Sequence, residues 1–182
     1  MNLSVSEQKN KIRRLHKNIR ATLDIKNLSK IIMNKVLELP EFKKAENVCC
    51  YLPFGTETDT SLILNHAEKN ILVPKISENE IFMTKYTPDN LQTGNFGISE
   101  PIDCFPVKLS KEDIIIVPAL ACDKKFYRIG YGKGYYDRYM KNTDAVKILP
   151  IPSKLLTDSL PHSEFDVQVD IIVTEKEVFK RT

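Results

Sequence analysis

The sequence predicts an α/β protein in which helices cover both faces of a mostly parallel β-sheet. Two observations lead to this prediction. Short apolar runs that are typical of buried strands alternate along the chain with segments of helical periodicity. The run Asp113–Ala119 is apolar almost throughout, as expected for a strand that is covered on both faces. The expected architecture is therefore a three-layer α/β/α sandwich with a mostly parallel central sheet, of Rossmann-like type.

The first half of the chain is predicted to begin with two helices. Within Ser6–Leu23, apolar residues recur at spacings of three and four and form one stripe, which indicates an amphipathic helix. Ile25–Leu39 is predicted to be the second helix and to stop at Pro40. Val48–Pro53 is a short apolar run followed by turn residues, which indicates a buried strand. The next predicted elements are a helix over Thr60–Lys69 and strands over Asn70–Ile76 and Ile81–Tyr86.

The second half is predicted to contain a long loop, three strands and one helix. Pro88–Pro106 is rich in loop residues, and Asp113–Ala119 is the most convincing strand. A helix over Tyr135–Asn142 and strands over Lys147–Pro150 and Asp170–Thr174 complete the pattern. The sequence shows no repeat or linker, so residues 1–182 are expected to form a single domain.

Composition excludes several classes of function. No apolar run approaches the roughly 20 residues that span a bilayer. The N-terminus is polar and has no secretory apolar region, which predicts a cytoplasmic location. The four cysteines form no CxxC pair, and the three histidines have no triad-like neighbours, so a zinc site and a nucleophilic hydrolase are disfavoured. A net charge of +3 is too small to indicate nucleic acid by itself.

Basic charge is nevertheless concentrated near the N-terminus. Six cations and no acid lie between residues 9 and 20. Such a cluster fits an anion, but it also fits a solvated helix face, and both interpretations stay open. The six cations are Lys9, Lys11, Arg13, Arg14, Lys17 and Arg20.

A glycine-rich segment between the strongest strand and the last helix carries the clearest chemical signal. Three of the six glycines of the chain lie within Arg128–Asp137. Glycine permits backbone conformations in which N–H groups converge on an anion, and Arg128 and Lys133 add positive charge. The segment contains neither GxxxxGK[ST] nor GxGxxG. Asp137 fits a Mg²⁺ ligand and a helix N-terminal charge equally well.

Taken together, these segments resemble the 5-formyltetrahydrofolate cyclo-ligase family. RIGYGKGYYDRYM, which begins at Arg128, closely resembles the glycine-rich signature of that family. Four other pieces agree in order: the K-x-x-x-R pair Lys9 and Arg13, the strand and loop Leu52–Thr60, the F-G-I-x-E-P loop Phe96–Pro101, and the closing segment Phe165–Glu175. Phe126-Tyr127 departs from the family, which often has a glycine-containing turn there.

The resemblance implies ATP and Mg²⁺ as cofactors and a role for each matching residue. The implied ATP-binding residues are Lys9, Asn10, Lys11, Ile12, Arg13, Arg128, Ile129, Gly130, Tyr131, Gly132, Lys133, Gly134, Tyr135 and Tyr136. The implied folate-binding residues are Leu52, Glu57, Tyr131, Gly132, Lys133, Gly134 and Tyr135. The implied catalytic cations are Lys9, Arg13, Arg128 and Lys133, and the implied metal-associated carboxylates are Asp137 and Asp166.

The resemblance further implies the reaction. It is the ATP-dependent conversion of 5-formyltetrahydrofolate to 5,10-methenyltetrahydrofolate with release of ADP and phosphate, through phosphorylation of the formyl oxygen and ring closure by N10. Small-molecule substrates are the expected partners, without nucleic acid or membrane, and a monomer is favoured. Two alternatives stay open from the residues alone: another ATP or sugar-phosphate enzyme on a similar sheet, and an RNA-binding protein that uses the basic helix and the tyrosines.

Overall fold

The structure is a computed structural model that describes residues 3–78, 80–94, 97 and 99–182. Its helices are α1 (Val5–Ala21), α2 (Ile25–Glu38), α3 (Pro40–Lys44), α4 (Ser61–Leu64) and α5 (Tyr135–Met140). Its strands are β1 (Asn47–Cys49), β2 (Asn70–Ser77), β3 (Glu80–Lys85), β4 (Leu91–Thr93), β5 (Ser99–Pro101), β6 (Ile114–Ile116), β7 (Ala121–Asp123), β8 (Arg128–Ile129), β9 (Val146–Pro150), β10 (Leu156–Thr157), β11 (Ile171–Val173) and β12 (Val178–Lys180).

Seven strands form the central sheet in the order β12-β11-β9-β6-β1-β2-β3. The five inner strands pair in parallel, whereas β3 and β12 pair antiparallel at the two edges. The carboxyl ends of the inner strands therefore meet at one edge of the sheet, which is where open α/β sheets bind ligands. The chain between β1 and β2 leaves from this edge, and so does the chain after β6 that leads to the glycine-rich loop.

Consecutive residues of one strand pack into two different cores. In β6, Ile114 and Ile116 belong to the core that also contains Met33 and Phe42 from α2 and α3. Ile115 points the opposite way, into the core that contains Met140 from α5. Because all three isoleucines are fully buried, the sheet is covered on both faces. The predicted three-layer α/β/α architecture is thereby confirmed.

Local chemistry explains where several elements begin and end. Ser4 caps α1 through a reciprocal pair of hydrogen bonds with Glu7, a capping box. A further helix, α3, starts at Pro40 itself, because the first turn of a helix needs no N–H donor from its first residue. The helix predicted over 60–69 is only one turn long. There the Asn65 side chain donates to the Ser61 carbonyl at 2.9 Å, competing with continuation of the helix.

Other differences from the sequence-based prediction concern short strands. The stretch predicted as loop contains the antiparallel hairpin of β4 and β5, whereas Phe96 and Ile98 of the motif in this stretch lie outside the described residues. A second sheet, of β7, β8 and β10, was not predicted. Phe126, between β7 and β8, has a φ of 68°, a left-handed conformation at the place where the resembling family often has a glycine-containing turn.

Candidate active site

The glycine-rich loop joins the buried strand β8 to α5 at the carboxyl-end edge of the sheet. Its conformation depends on glycine at two positions, since φ is +104° at Gly132 and +70° at Gly134. Asp123, at the end of β7, shapes the preceding turn: its buried carboxylate accepts from the backbone N–H groups of Lys125, Tyr127 and Leu160 at 2.8–3.0 Å. Three backbone hydrogen bonds to one carboxylate thus hold the turn that precedes the loop.

Helix α1 lies directly against this loop. The Nε of Arg13 donates to the carbonyl of Gly130 at 2.9 Å, and its Nη1 donates to Asn10 at 2.6 Å. A Cβ at Gly132 would lie 3.2 Å from the guanidinium carbon of Arg13. The side chain of Ile12 anchors the helix, since it packs with Ile129 and other apolar residues between α1 and the second sheet. Two motifs that are more than 100 positions apart in the sequence therefore meet in space.

Lys9, one turn before Arg13, forms an ion pair with Asp166. Its Nζ lies 2.6 Å from both carboxylate oxygens, and Oδ2 also accepts from the backbone N–H and the hydroxyl of Ser163. Burial acts to raise the pKa of Asp166, but the bonds from Lys9 and Ser163 outweigh it and lower that pKa below its usual value. The pair holds the closing segment of the chain against α1.

Arg128 supplies a buried cation under the glycine-rich loop. Its Nη2 lies 3.2 Å from Asp137, and its Nη1 would lie 3.3 Å from a Cβ at Gly130. Among the described residues, its buried Nε and Nη2 have no partner in hydrogen-bonding geometry. Asp137 also accepts from the backbone N–H of Val167, next to Asp166, at 3.2 Å. The site therefore holds unsatisfied cationic donors beside two neighbouring carboxylates.

A second group of polar side chains surrounds Glu57, which follows β1. The carboxylate of Glu57 accepts from the backbone N–H of Phe54 at 2.9 Å. Burial raises the pKa of Glu57, while the hydrogen bonds from Phe54 and Tyr131 and the charge of Arg20 oppose the rise. Burial and the nearby Glu57 charge raise the pKa of Tyr131 to about 12. Leu52 packs against the core on the same loop.

The remaining predicted site residues differ in exposure: Lys11 and Lys133 are exposed, whereas Tyr136 packs against a core. The side chain of Lys133 lines an open cleft of about 450 Å³ together with Tyr135, Arg138, Glu78 and Glu80. Lys11 is exposed on α1. Tyr136 packs into the core of the α5 face, and the Arg128 guanidinium lies 5.9 Å from its ring centroid.

Sequence reasoning did not single out Arg20, which the structure places in the site. Its side chain is only 2% exposed, in contrast to the exposed Lys17 three residues earlier. A signal was available, because Arg20 falls at helical spacing on the same face of α1 as Lys9 and Arg13. The interpretation as a solvated face fits Lys11, Arg14 and Lys17, which are exposed. It does not fit the other three cations of the cluster, which bond to Asp166, Gly130 and Ala119.

Comparisons with known proteins agree with this geometry. The sequence model of the 5-formyltetrahydrofolate cyclo-ligase family matches residues 5–175. The chain is 28% identical to the 5-formyltetrahydrofolate cyclo-ligase of Haemophilus influenzae over 95% of this chain and 100% of that protein. It is 30% identical to that of Mycolicibacterium smegmatis over 71% and 73%. The structure of Aquifex aeolicus 5,10-methenyltetrahydrofolate synthetase superposes with a TM-score of 0.82, 35% identity, and coverage of 94% and 92%.

Proposed function

Since the chain belongs to the 5-formyltetrahydrofolate cyclo-ligase family, we propose that it binds ATP at the glycine-rich loop and the folate beside Glu57. The activity is that of a cyclo-ligase of folate metabolism. Residues 1–182 would act as one catalytic domain. The observation that carries the proposal is the buried Arg128 guanidinium beneath the loop: among the described residues its Nε has no hydrogen-bond partner, and its Nη2 has only the 3.2 Å ion-pair contact with Asp137.

Three cations support the nucleotide side of the proposal. A buried donor without a partner costs about 1–3 kcal/mol, and more when it is charged. A phosphate oxygen in the glycine-rich loop would satisfy Arg128 and remove this cost. Arg13 is held at the same loop by the Gly130 carbonyl, and Lys9, one turn earlier on α1, pairs with Asp166, whose neighbour Val167 donates to Asp137. Their charges would stabilise the negative charge that spreads over the phosphoryl oxygens during transfer.

The folate side of the proposal rests on Glu57 and Tyr131. A carboxylate only accepts hydrogen bonds, so Glu57 suits the N–H donors of a pterin ring. The Tyr131 ring, half exposed at the loop, lies between Glu57 and the phosphate side. The two ligands would therefore meet over the glycine-rich loop, with the formyl oxygen directed at the γ-phosphate.

The donor set fits a magnesium ion. Mg²⁺ prefers hard oxygen ligands and usually takes one or two carboxylates, with waters and phosphate oxygens at its remaining positions. Asp137 and Asp166 are neighbours, because the residue after Asp166 donates to Asp137. No cluster of three or more metal-ligating side chains occurs in the described part of the chain, which agrees with an ion that arrives with its nucleotide. Bound there, Mg²⁺ would neutralise phosphate charge.

The chemistry requires the protein mainly to position its substrates. A formyl amide is a weak electrophile because the nitrogen lone pair delocalises into the carbonyl. Transfer of the γ-phosphoryl group to the formyl oxygen converts that oxygen into a leaving group, and N10 of the same folate then closes the ring and expels phosphate. This sequence needs no covalent protein intermediate. Holding both substrates in register supplies much of the acceleration.

The test is a spectrophotometric assay for the methenyl product. Purified protein, Mg-ATP and 5-formyltetrahydrofolate should give product, and omission of ATP should abolish it. ATP consumption without product would support another phosphoryl-transfer enzyme instead. Among the described residues, no helix combines the length and apolar character needed to cross a membrane. The cytoplasmic location and the monomeric state stay predictions, which fractionation and gel filtration would check.

A further inference from the structure

Arg20 is a buried cation with an incomplete set of partners. It lies in the last turn of α1 with its side chain 2% exposed. Its Nη2 donates to the carbonyl of Ala119, and its Nη1 lies 3.5 Å from the carbonyl of Thr56. Its buried Nε has no hydrogen-bond partner within the described ranges. Because burying a charge is costly unless it is paired, this placement calls for a compensating anion.

The guanidinium connects three segments of the active site. Ala119 follows β6, Thr56 directly precedes Glu57, and the Tyr131 hydroxyl of the glycine-rich loop interacts with both Arg20 and Glu57. The carboxylate of Glu57 is therefore linked to Arg20 through the neighbouring Thr56 carbonyl and the Tyr131 hydroxyl, without a direct ion pair. The Arg20 side chain thus contacts the loop that carries Glu57, the segment after β6 and the glycine-rich loop.

The other groups around Glu57 are neutral phenols. They come from three elements: Tyr131 on the glycine-rich loop, Tyr136 on α5, and Tyr51 after β1. Burial, with the nearby Glu57 charge, raises the pKa of each phenol, so all three stay protonated near neutral pH. Arg20 is thus the cation whose charge acts on the Glu57 carboxylate.

We propose that Arg20 is a positioning residue for folate recognition, which holds the loop that carries Glu57 through the Thr56 carbonyl and brings its charge near the Glu57 carboxylate beside Tyr131. This inference rests on the proposed function, since Glu57 needs to be held only if it binds the folate. Arg20 itself is buried and acts through this loop.

The inference predicts a specific change with pH. Burial raises the pKa of Glu57, and the Arg20 charge counteracts this rise. Without Arg20 the pKa of Glu57 rises further, so the carboxylate becomes protonated at a higher pH and loses its acceptor lone pair there. Folate binding should then weaken at a higher pH than in the unaltered protein, while ATP binding should follow its original profile.

The experiment compares Arg20→Gln, which removes the charge, with Arg20→Lys, which keeps it. Arg14→Gln is the matched control, because it makes the same change on an exposed position of the same helix. KM for 5-formyltetrahydrofolate and KM for ATP are measured from about pH 5.5 to 8.5. For Arg20→Gln we expect the acidic rise in the folate KM to move to higher pH, with the ATP KM unchanged. Arg20→Lys and Arg14→Gln should keep the original profile.

A double variant separates positioning from general destabilisation. In a Glu57→Gln background there is no carboxylate to titrate, so Arg20→Gln should shift nothing. Equal increases in both KM values, or an unshifted folate profile in folded Arg20→Gln, would overturn the inference. If Arg20→Gln does not fold, Arg20→Met, which also removes the charge, takes its place under the same criteria, and a shifted folate profile for Arg20→Lys would contradict the inference. Absence of methenyl product from the unaltered protein would instead refute the proposed function.

Discussion

Replacing Gly132 by alanine tests the contact between α1 and the glycine-rich loop. Gly132 has a φ of +104°, which alanine rarely adopts, and the new Cβ would lie 3.2 Å from the guanidinium carbon of Arg13. The backbone strain costs about 1–2 kcal/mol. The crowded guanidinium must also move, which endangers its 2.9 Å bond to the Gly130 carbonyl, and a hydrogen bond from a charged donor is worth about 1.5–3 kcal/mol.

Loss of the hydrogen bond between Arg13 and the Gly130 carbonyl should also weaken ATP binding. Displacement of Arg13 removes a cation from the proposed phosphate site, so we expect the Kd for Mg-ATP to rise by roughly tenfold to a hundredfold. Gly55→Ala is the matched control: φ is +60° there, but a Cβ would meet no atom within 4 Å. Backbone strain should lower the unfolding free energy of Gly55→Ala, but its affinity for ATP should stay unchanged.

Isothermal titration calorimetry measures the Kd for Mg-ATP, and urea unfolding measures the unfolding free energy. Backbone strain should lower the unfolding free energy of both variants. The weakened Arg13 contact should lower it further in Gly132→Ala, and only Gly132→Ala should lose much of its ATP affinity. If both variants bind ATP with the same Kd, the Arg13 contact has no part in nucleotide binding and the argument from the Gly132 geometry is refuted.

Three further predictions address the charged groups. Arg128→Ala leaves Asp137 without its buried partner, so the unfolding free energy should fall by about 3 kcal/mol and turnover by about a hundredfold; unchanged turnover in folded protein would rule out the proposed role. Asp166→Asn should lower the urea midpoint at pH 7, and this difference should shrink as pH falls from about 4 through the lowered folded pKa of Asp166, because a carboxylate with a lowered pKa contributes stability above its unfolded pKa and loses it as pH falls through the folded one; a difference that keeps its full size below both pKa values would contradict this. Glu57→Gln should raise the KM for folate while the Kd for ATP stays constant, and equal losses for both ligands would remove Glu57 from the folate site.

Elements with long periodic or apolar stretches were predictable, and very short ones were not. α1 and the strand around Ile114 were predicted within a few residues, because their side-chain patterns extend over several turns or a full buried run. β8 consists of two residues, too few for any alternation to be visible. It forms because Arg128 and Ile129 find partners in β7, a contact that the local sequence does not encode.

The sequence by itself determined the fold class, the family and the glycine-rich loop, because alternating patterns and closely spaced glycines act over a few neighbouring residues. Only the tertiary structure decided which charges meet. Lys9 pairs with Asp166 across more than 150 positions of the chain, and Arg20 reaches the loop that carries Glu57. Their burial, not their residue type, distinguishes them from an exposed neighbour such as Arg14. The physical reason is that the cost of desolvating a charge depends on the atoms that surround it, and distant segments supply those atoms.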